Sequence, residues 1–328
     1  MSRSERRGAD VAVDLGTATT QVFLRGSGAV GELVVDEPTV VALDGRGRSV
    51  AVGADADAAD DRSLVRSRPI GRSAVRDVDS ATALLRAFLQ RAGVARRSRP
   101  RVVLSVPCSA SPVEQRAWQA VGREAGGGEV VLVDAPRAAA LGAGVALRPL
   151  GTMVVDVGAG TTEAAVLGLG RVVAFRAIRL GLGDLDAAVQ DRLRRHHGLA
   201  VGEATASAVR CTLGAAARAP SDAAAEVRGR AVATGSPATA VLEATEVHEA
   251  LADGLEAVEA TALACLAAVP AELARDLTHA GLYLVGGGGL LPGLAERLAA
   301  ATDLPVHVPA EPWTSAARGG LRAAAVSR

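Results

Sequence analysis

A chain of 328 residues, 49% of them hydrophobic, has material for two lobes, and its scarcity of aromatics leaves Ala, Val and Leu to fill the interior. The 36 basic and 36 acidic side chains balance, which argues against a nucleic-acid binder driven by phosphate neutralisation. Every basic side chain is arginine, so the Gly-x-x-x-x-Gly-Lys-Ser/Thr loop of a P-loop NTPase is excluded.

No apolar run follows the charged N-terminus MSRSERRGAD, so neither a signal peptide nor a membrane span is expected, and the chain reads as cytoplasmic. Residues 11–24 read as strand, Gly-rich turn and strand. Val34–Leu43 and Ser49–Val52 read as further strands, and 53–75 as polar and irregular. Asp77–Arg91 is a predicted helix with Val78, Ala81, Leu84, Leu85, Phe88 and Leu89 on one face. An Arg-rich loop, 96–101, leads to a strand at Val102–Val106 that Pro107 ends. A helix at Ser111–Ala125, a strand at Val130–Val133 and a small-residue helix at Pro136–Ala146 follow. The pattern then restarts: strand Thr152–Val157, a Gly-rich turn, strand Glu163–Leu167, and a helix capped by Asp184 and running to about His197. Residues 198–245 are Ala-rich and mixed. A long helix spans Glu246–Ala268, a strand Gly281–Val285, and after four glycines a helix runs from about Leu290 to Ala301.

Two halves thus open with one device. Asp14-Leu15-Gly16-Thr17-Ala18-Thr19-Thr20 and Asp156-Val157-Gly158-Ala159-Gly160-Thr161-Thr162 share the form Asp-x-Gly-x-x-x-Thr. Glycine allows a tight turn and close approach of backbone amides to an anion, and threonine hydroxyls add donors. A carboxylate at the strand end can hold Mg²⁺ through its water shell. Two such hairpins facing each other would clamp a polyphosphate. A third glycine segment, Gly286-Gly287-Gly288-Gly289, stands between a strand and a predicted helix, where a ligand could lie against bare backbone. Cys108, Cys211 and Cys265 lack metal-ligand spacing and read as buried or half-buried thiols, and His196 and His197 point in different directions on a helix end.

In order along the chain, VDLGTATTQVFLRGSG, DEPTVVAL, VVDVGAGTTEAAVLGLG, VGEATASAVR and LVGGGGLLPGL resemble the successive motifs of MreB, the bacterial actin homologue, from about Val11 to Gly320. The resemblance implies an α/β fold of the actin type, a duplicated ribonuclease-H-like two-domain fold with a nucleotide cleft between the lobes. Lobe I would span 8–147, with a small subdomain at about 35–75 and the C-terminal helix 314–325 packed back on it. Lobe II would span 150–310, with a small subdomain at about 184–244. The resemblance further implies ATP and Mg²⁺ as ligands, Asp14 and Asp156 serving the metal, self-association into filaments, and work with the cell-wall synthesis machinery in cell shape.

Four departures qualify these expectations. Where the family has a carboxylate before proline to orient the attacking water, this chain has Ala135, which predicts weakened hydrolysis. In the adenosine segment Ser207 replaces the glutamate expected to accept from the ribose, while Arg210 keeps a cation that can stack on adenine. Thr19 replaces an asparagine and retains a hydroxyl. The apolar membrane contacts of the family give way to Arg96, Arg97, Arg99 and Arg101, with Arg3, Arg6 and Arg7 at the N-terminus, so contact with the inner membrane surface would be electrostatic. A second reading is a non-hydrolysing actin-fold scaffold that regulates the filaments of a partner, a second MreB homologue. A sugar kinase of the same superfamily is disfavoured because no catalytic base stands out beyond Asp14 and Asp156.

Overall fold

The computed structural model describes residues 10–25, 31–61, 63–145, 151–214, 216 and 223–326. Arg3, Arg6 and Arg7 lie outside these residues. The chain divides into two compact units, one built from the segment up to Pro149 together with Leu169–Val172 and Thr314 onward, the other from Leu150–Gly168 and Val173–Trp313.

In the first unit β1 (Asp10–Leu15), β2 (Thr19–Leu24) and β3 (Glu32–Pro38) form an antiparallel meander. Strand alternation sends Val11, Val13 and Leu15 into one core and Ala12 into another on the opposite face. This is why the run is almost wholly buried: the sheet is covered on both sides. The expected strand Val34–Leu43 is broken after Pro38, whose nitrogen cannot donate to a ladder. The chain leaves there for a small sheet of β4 (Val41–Leu43), β5 (Ser49–Val52) and, beyond α1 (Ala54–Asp57), β6 (Val65–Ser67). A hairpin of β7 (Ile70–Gly71) and β8 (Ala74–Val75) follows, so the stretch read as irregular is structured. Helix α2 (Val78–Arg91) starts where the Asp77 carboxylate accepts from the Asp79 and Ser80 amides, and it lays Leu84, Leu85 and Phe88 on the sheet. Strand β9 (Arg101–Val106) runs parallel to β1. Helix α3 (Pro112–Glu124), with a Ser111–Glu114 capping box, crosses to β10 (Glu129–Asp134), and α4 (Ala135–Gly142) follows directly.

The second unit repeats the plan. Strands β11 (Thr152–Val157), β12 (Thr162–Gly168) and β13 (Arg171–Ile178) form the meander. Helix α5 (Leu182–His197) begins two residues before Asp184, whose carboxylate instead accepts from the Gly181 amide at 2.9 Å. The Ala-rich region resolves into β14 (Leu199–Ala200), α6 (Glu203–Leu213) and a hairpin of β15 (Ala224–Ala231) with β16 (Pro237–Glu243). Helix α7 (Ala244–Leu266) brings Leu251, Leu255 and Val258 into the core that also holds Met153, Val155 and Leu185. Helix α8 (Ala271–Ala280), absent from the sequence reading, leads to β17 (Leu282–Val285), parallel to β11. The glycines form a 3-10 turn, Gly287–Leu290, and the expected helix is delayed by Pro292-Gly293 to α9 (Leu294–Thr302) before β18 (Val306–His307).

The two sheets have one strand order, β10-β9-β1-β2-β3 and β18-β17-β11-β12-β13. Helix α10 (Ser315–Val326) closes the second face of the first sheet, contributing Ala317 and Leu321 to a core with Ala138 and Leu141. It meets α4 at glycines: a Cβ on Gly319 would stand 1.7 Å from the Ala138 carbonyl oxygen. Arg322 donates to the Leu141 carbonyl at 2.6 Å, and Arg25, paired with the buried Asp10 at 2.9 Å, donates to Leu321.

Candidate functional site

Each Gly-rich turn closes in the same way. The Gly16 amide donates to the Thr19 carbonyl at 3.1 Å, and the Gly158 amide to the Thr161 carbonyl at 2.9 Å. Asp14 and Asp156 end their first strands, opposite Gln21 and Glu163 in register. Both aspartates are half-buried, as are Gly16, Thr17 and Ala18 in the first turn and Gly158 and Ala159 in the second; Thr19 is exposed and Gly160 buried. Burial pushes the Asp156 carboxyl up to about 6. The last threonine of each motif is buried and hydrogen-bonded within its unit: Thr20 bonds Thr39 at 2.8 Å, and Thr162 donates to the Leu180 carbonyl at 2.9 Å.

The supports differ. The Thr17 hydroxyl accepts from the Ser73 amide at 3.3 Å, and Ser73 lies in the β7–β8 turn, where Arg72 and Ser73 have left-handed backbones with φ of 49° and 57°. The second turn is held by α5, with the Leu182 amide donating to Gly158 and the Gly183 amide to Ala159 at 2.9 and 2.8 Å. The four glycines come to the same place. A Cβ on Gly286 would stand 2.3 Å from Asp156 Oδ1, on Gly288 2.4 Å from Val157, and on Gly287 2.8 Å from Leu182. Gly289 lies against Pro312. The glycines thus pack closely on Asp156, Val157, Leu182 and Pro312, and the helix start expected after them is a 3-10 turn.

A model of the MreB/Mbl protein family matches residues 8–327. The chain is 37% identical to the cell shape-determining protein MreB of Escherichia coli K12 over 96% of its own length and 92% of that protein's. It is 33% identical to the cell shape-determining protein Mbl of Bacillus subtilis 168 over 94% of each. The chain belongs to the MreB/Mbl family. Among solved structures, MreB 5 of Spiroplasma citri bound to AMPPNP superposes with a TM-score of 0.88 at 23% identity, over 97% of this chain and 96% of that one. The MamK double helical filament superposes at 0.78, also at 23% identity, over 97% and 98%. The fold is the actin-like fold.

In this MreB/Mbl chain the segment expected to meet adenosine lies on α6, and its two candidate residues touch. Arg210 Nη2 donates to Ser207 Oγ at 3.2 Å, while Arg210 Nε donates to Asp186 Oδ1 at 2.6 Å. The guanidinium expected to stack on adenine is thus engaged at its edge and buried. Asp186, one turn into α5, carried no sequence signal beyond its helical register. Ala135 is the first residue of α4, and the neighbouring Asp134 is exposed and makes no capping bond. Among the described residues no group of three or more His, Cys, Asp or Glu could cage a metal. Asp156 is a half-buried carboxylate, a hard oxygen donor of the type that hydrated Mg²⁺ accepts.

Of the thiols, Cys265 is buried and Cys108 half-buried, but Cys211 is exposed, because it falls on the outer face of α6. His197 pairs with Glu246 at 2.9 Å, a structural contact between α5 and α7. In the Arg-rich loop Arg97 and Arg99 are exposed, whereas Arg101 pairs with Glu129 at 3.3 Å. No helix among the described residues is long and apolar enough to cross a membrane.

Proposed function

We propose that this chain binds ATP with Mg²⁺ and assembles into filaments that organise cell-wall synthesis and cell shape at the inner face of the membrane, with ATP hydrolysis weakened. The duplicated turn carries the reading: Gly16 and Gly158 close on Thr19 and Thr161 in one geometry, each beside a strand-end aspartate. Backbone amides and hydroxyls around Gly16, Thr17, Ala18 and Thr19 in one unit, and around Gly158, Gly160 and Thr161 in the other, supply what a polyphosphate needs. Asp14 in one unit and Asp156 in the other are the carboxylates that would hold Mg²⁺ through its water shell, and the ion would supply charge neutralisation to the phosphates and a counter-ion to Asp156, which desolvation raises.

Relatives named for cell-shape determination support the cellular role, and the filament of the structural neighbour MamK supports self-association. The AMPPNP and ADP in the Spiroplasma structures support the nucleotide. Slow hydrolysis follows from Ala135, which has no group to orient water. Exposed Arg97 and Arg99 would each contribute about 1 kcal/mol near anionic lipid at low salt.

The test is ATP binding and sedimentation with and without Mg²⁺. Protein that neither binds nucleotide nor sediments under any nucleotide condition defeats the reading. Filaments seen only in mixture with a second homologue would assign the regulatory scaffold role instead. Ala135→Glu should raise phosphate release at least tenfold; an unchanged rate would show that the absent carboxylate is not the limit.

A further inference from the structure

The resemblance leaves the nucleoside without its usual acid, because Ser207 stands at the position of the ribose acceptor. The structure supplies a carboxylate beside it. Asp186 accepts from Arg210 Nε through Oδ1, and Arg210 in turn donates to Ser207, so the three form one network across α5 and α6. Arg210 is 7% exposed and Asp186 15%, so the cation lies beneath and the carboxylate is the more accessible group. Among the described residues nothing bonds Asp186 Oδ2.

The position along α5 matters as much. The first turn of this helix is tied to the second Gly-rich turn by the Leu182 and Gly183 amides. Asp186 lies four residues after Leu182, roughly 6 Å along the helix axis. That is the scale separating the phosphate chain of a nucleotide from the hydroxyls of its ribose. A carboxylate is the group suited to accept from two vicinal hydroxyls, as in dinucleotide sites.

We infer that Asp186 is the ribose-recognising residue of this chain, with its Oδ2 accepting from the sugar hydroxyls and Arg210 bracing it from below. The assignment rests on the ATP-binding reading above and gives it a specificity determinant. Arg210 is then a positioning residue, its edge held by Asp186 and Ser207.

The experiment titrates the full-length protein, in Mg²⁺, with ATP and with 2′,3′-dideoxy-ATP. Wild type should prefer ATP about tenfold, the scale of a hydrogen bond to a charged acceptor. Asp186→Ala should bring ATP down to the affinity of the dideoxy analogue and leave the analogue's affinity unchanged. Because that variant strands a buried cation, Asp186→Ala with Arg210→Met is the second variant and should show the same loss of preference. Equal binding of both ligands by wild type overturns the inference while leaving ATP binding intact. So does a preference that survives either variant, or an equal loss of both ligands, which would make the network structural. Failure of wild type to bind either ligand defeats ATP binding itself, and the ribose assignment with it.

Discussion

The two units are built on one strand order and one turn, yet they hold that turn by unrelated means. In the first, Gly16 is sterically constrained, since a Cβ there would stand 2.7 Å from the Thr19 carbonyl oxygen. A strained hairpin, with Ser73 at φ 57°, reaches the Thr17 hydroxyl. In the second, the matching Cβ on Gly158 would meet Thr161 at an ordinary 3.5 Å, and the turn is stapled to α5 and crowded by the glycines after β17. Duplication has kept the backbone device, which depends on amide geometry, while the side chains and helices that brace it have diverged. A phosphate-binding turn needs its hydrogen-bonding backbone held; the identity of what holds it is open.

The largest effect should separate the units by their closures. Gly319→Ala drives a methyl into the Ala138 carbonyl where α10 crosses α4, a contact with no room to yield. We expect at least about 3 kcal/mol of destabilisation in urea unfolding, concentrated in the first unit. A loss below about 1 kcal/mol would mean that the helices slide apart cheaply.

Asp156→Asn should act the other way on stability. With the carboxyl raised from 3.8 to about 6 by burial, the folded state prefers the proton. Its stabilising contribution is therefore complete below about pH 4 and is lost as pH rises through 6. The amide should make the nucleotide-free protein up to about 3 kcal/mol more stable at pH 8, with the gain vanishing below pH 4. The same change should weaken Mg²⁺-dependent ATP binding. Unfolding series at several pH values decide it; a gain independent of pH would remove desolvation as the cause.

The smallest effect sharpens the comparison most directly. Gly16→Ala should cost about 2 kcal/mol and weaken ATP binding about tenfold, whereas Gly158→Ala should cost less than about 0.5 kcal/mol. Equal costs, measured by thermal melts and ATP titration of both variants, would show that the two turns are sterically equivalent after all.

Much of this fold was legible because its signals are local. The runs VAVDL and TMVVDV, broken by Gly-rich turns, mark buried strands, and Asp77 with Ser111 marks two helix starts. Less local structure escaped. The β15–β16 hairpin is half exposed and its inward positions are mostly Ala and Gly, with Val227 and Leu242 the only buried large side chains, so its alternation carries little hydrophobic contrast. Helix α8 has an apolar face, with Leu273 and Leu277 one turn apart, but it spans only 10 residues between Pro270 and Gly281 and buries only Leu277 fully. The break at Pro38 and the delay of α9 past Pro292-Gly293 were visible as residues but not as boundaries, because whether a proline ends an element depends on where the next one docks.

Residue order alone placed two Asp-x-Gly-x-x-x-Thr turns, each between a pair of buried strands, because strand alternation and glycine turns are short-range physics. It also determined that no lysine-dependent phosphate loop could exist and that the acid before Pro136 is absent. The partners of the remaining polar residues come from long-range packing. Ser73 meets Thr17 across 56 residues of chain, and Arg210 turns to Asp186 across 24. The glycines after β17 pack on Asp156 because a parallel strand brings them there. Such partners are set by which strands and helices come together, and no spacing along the chain encodes that.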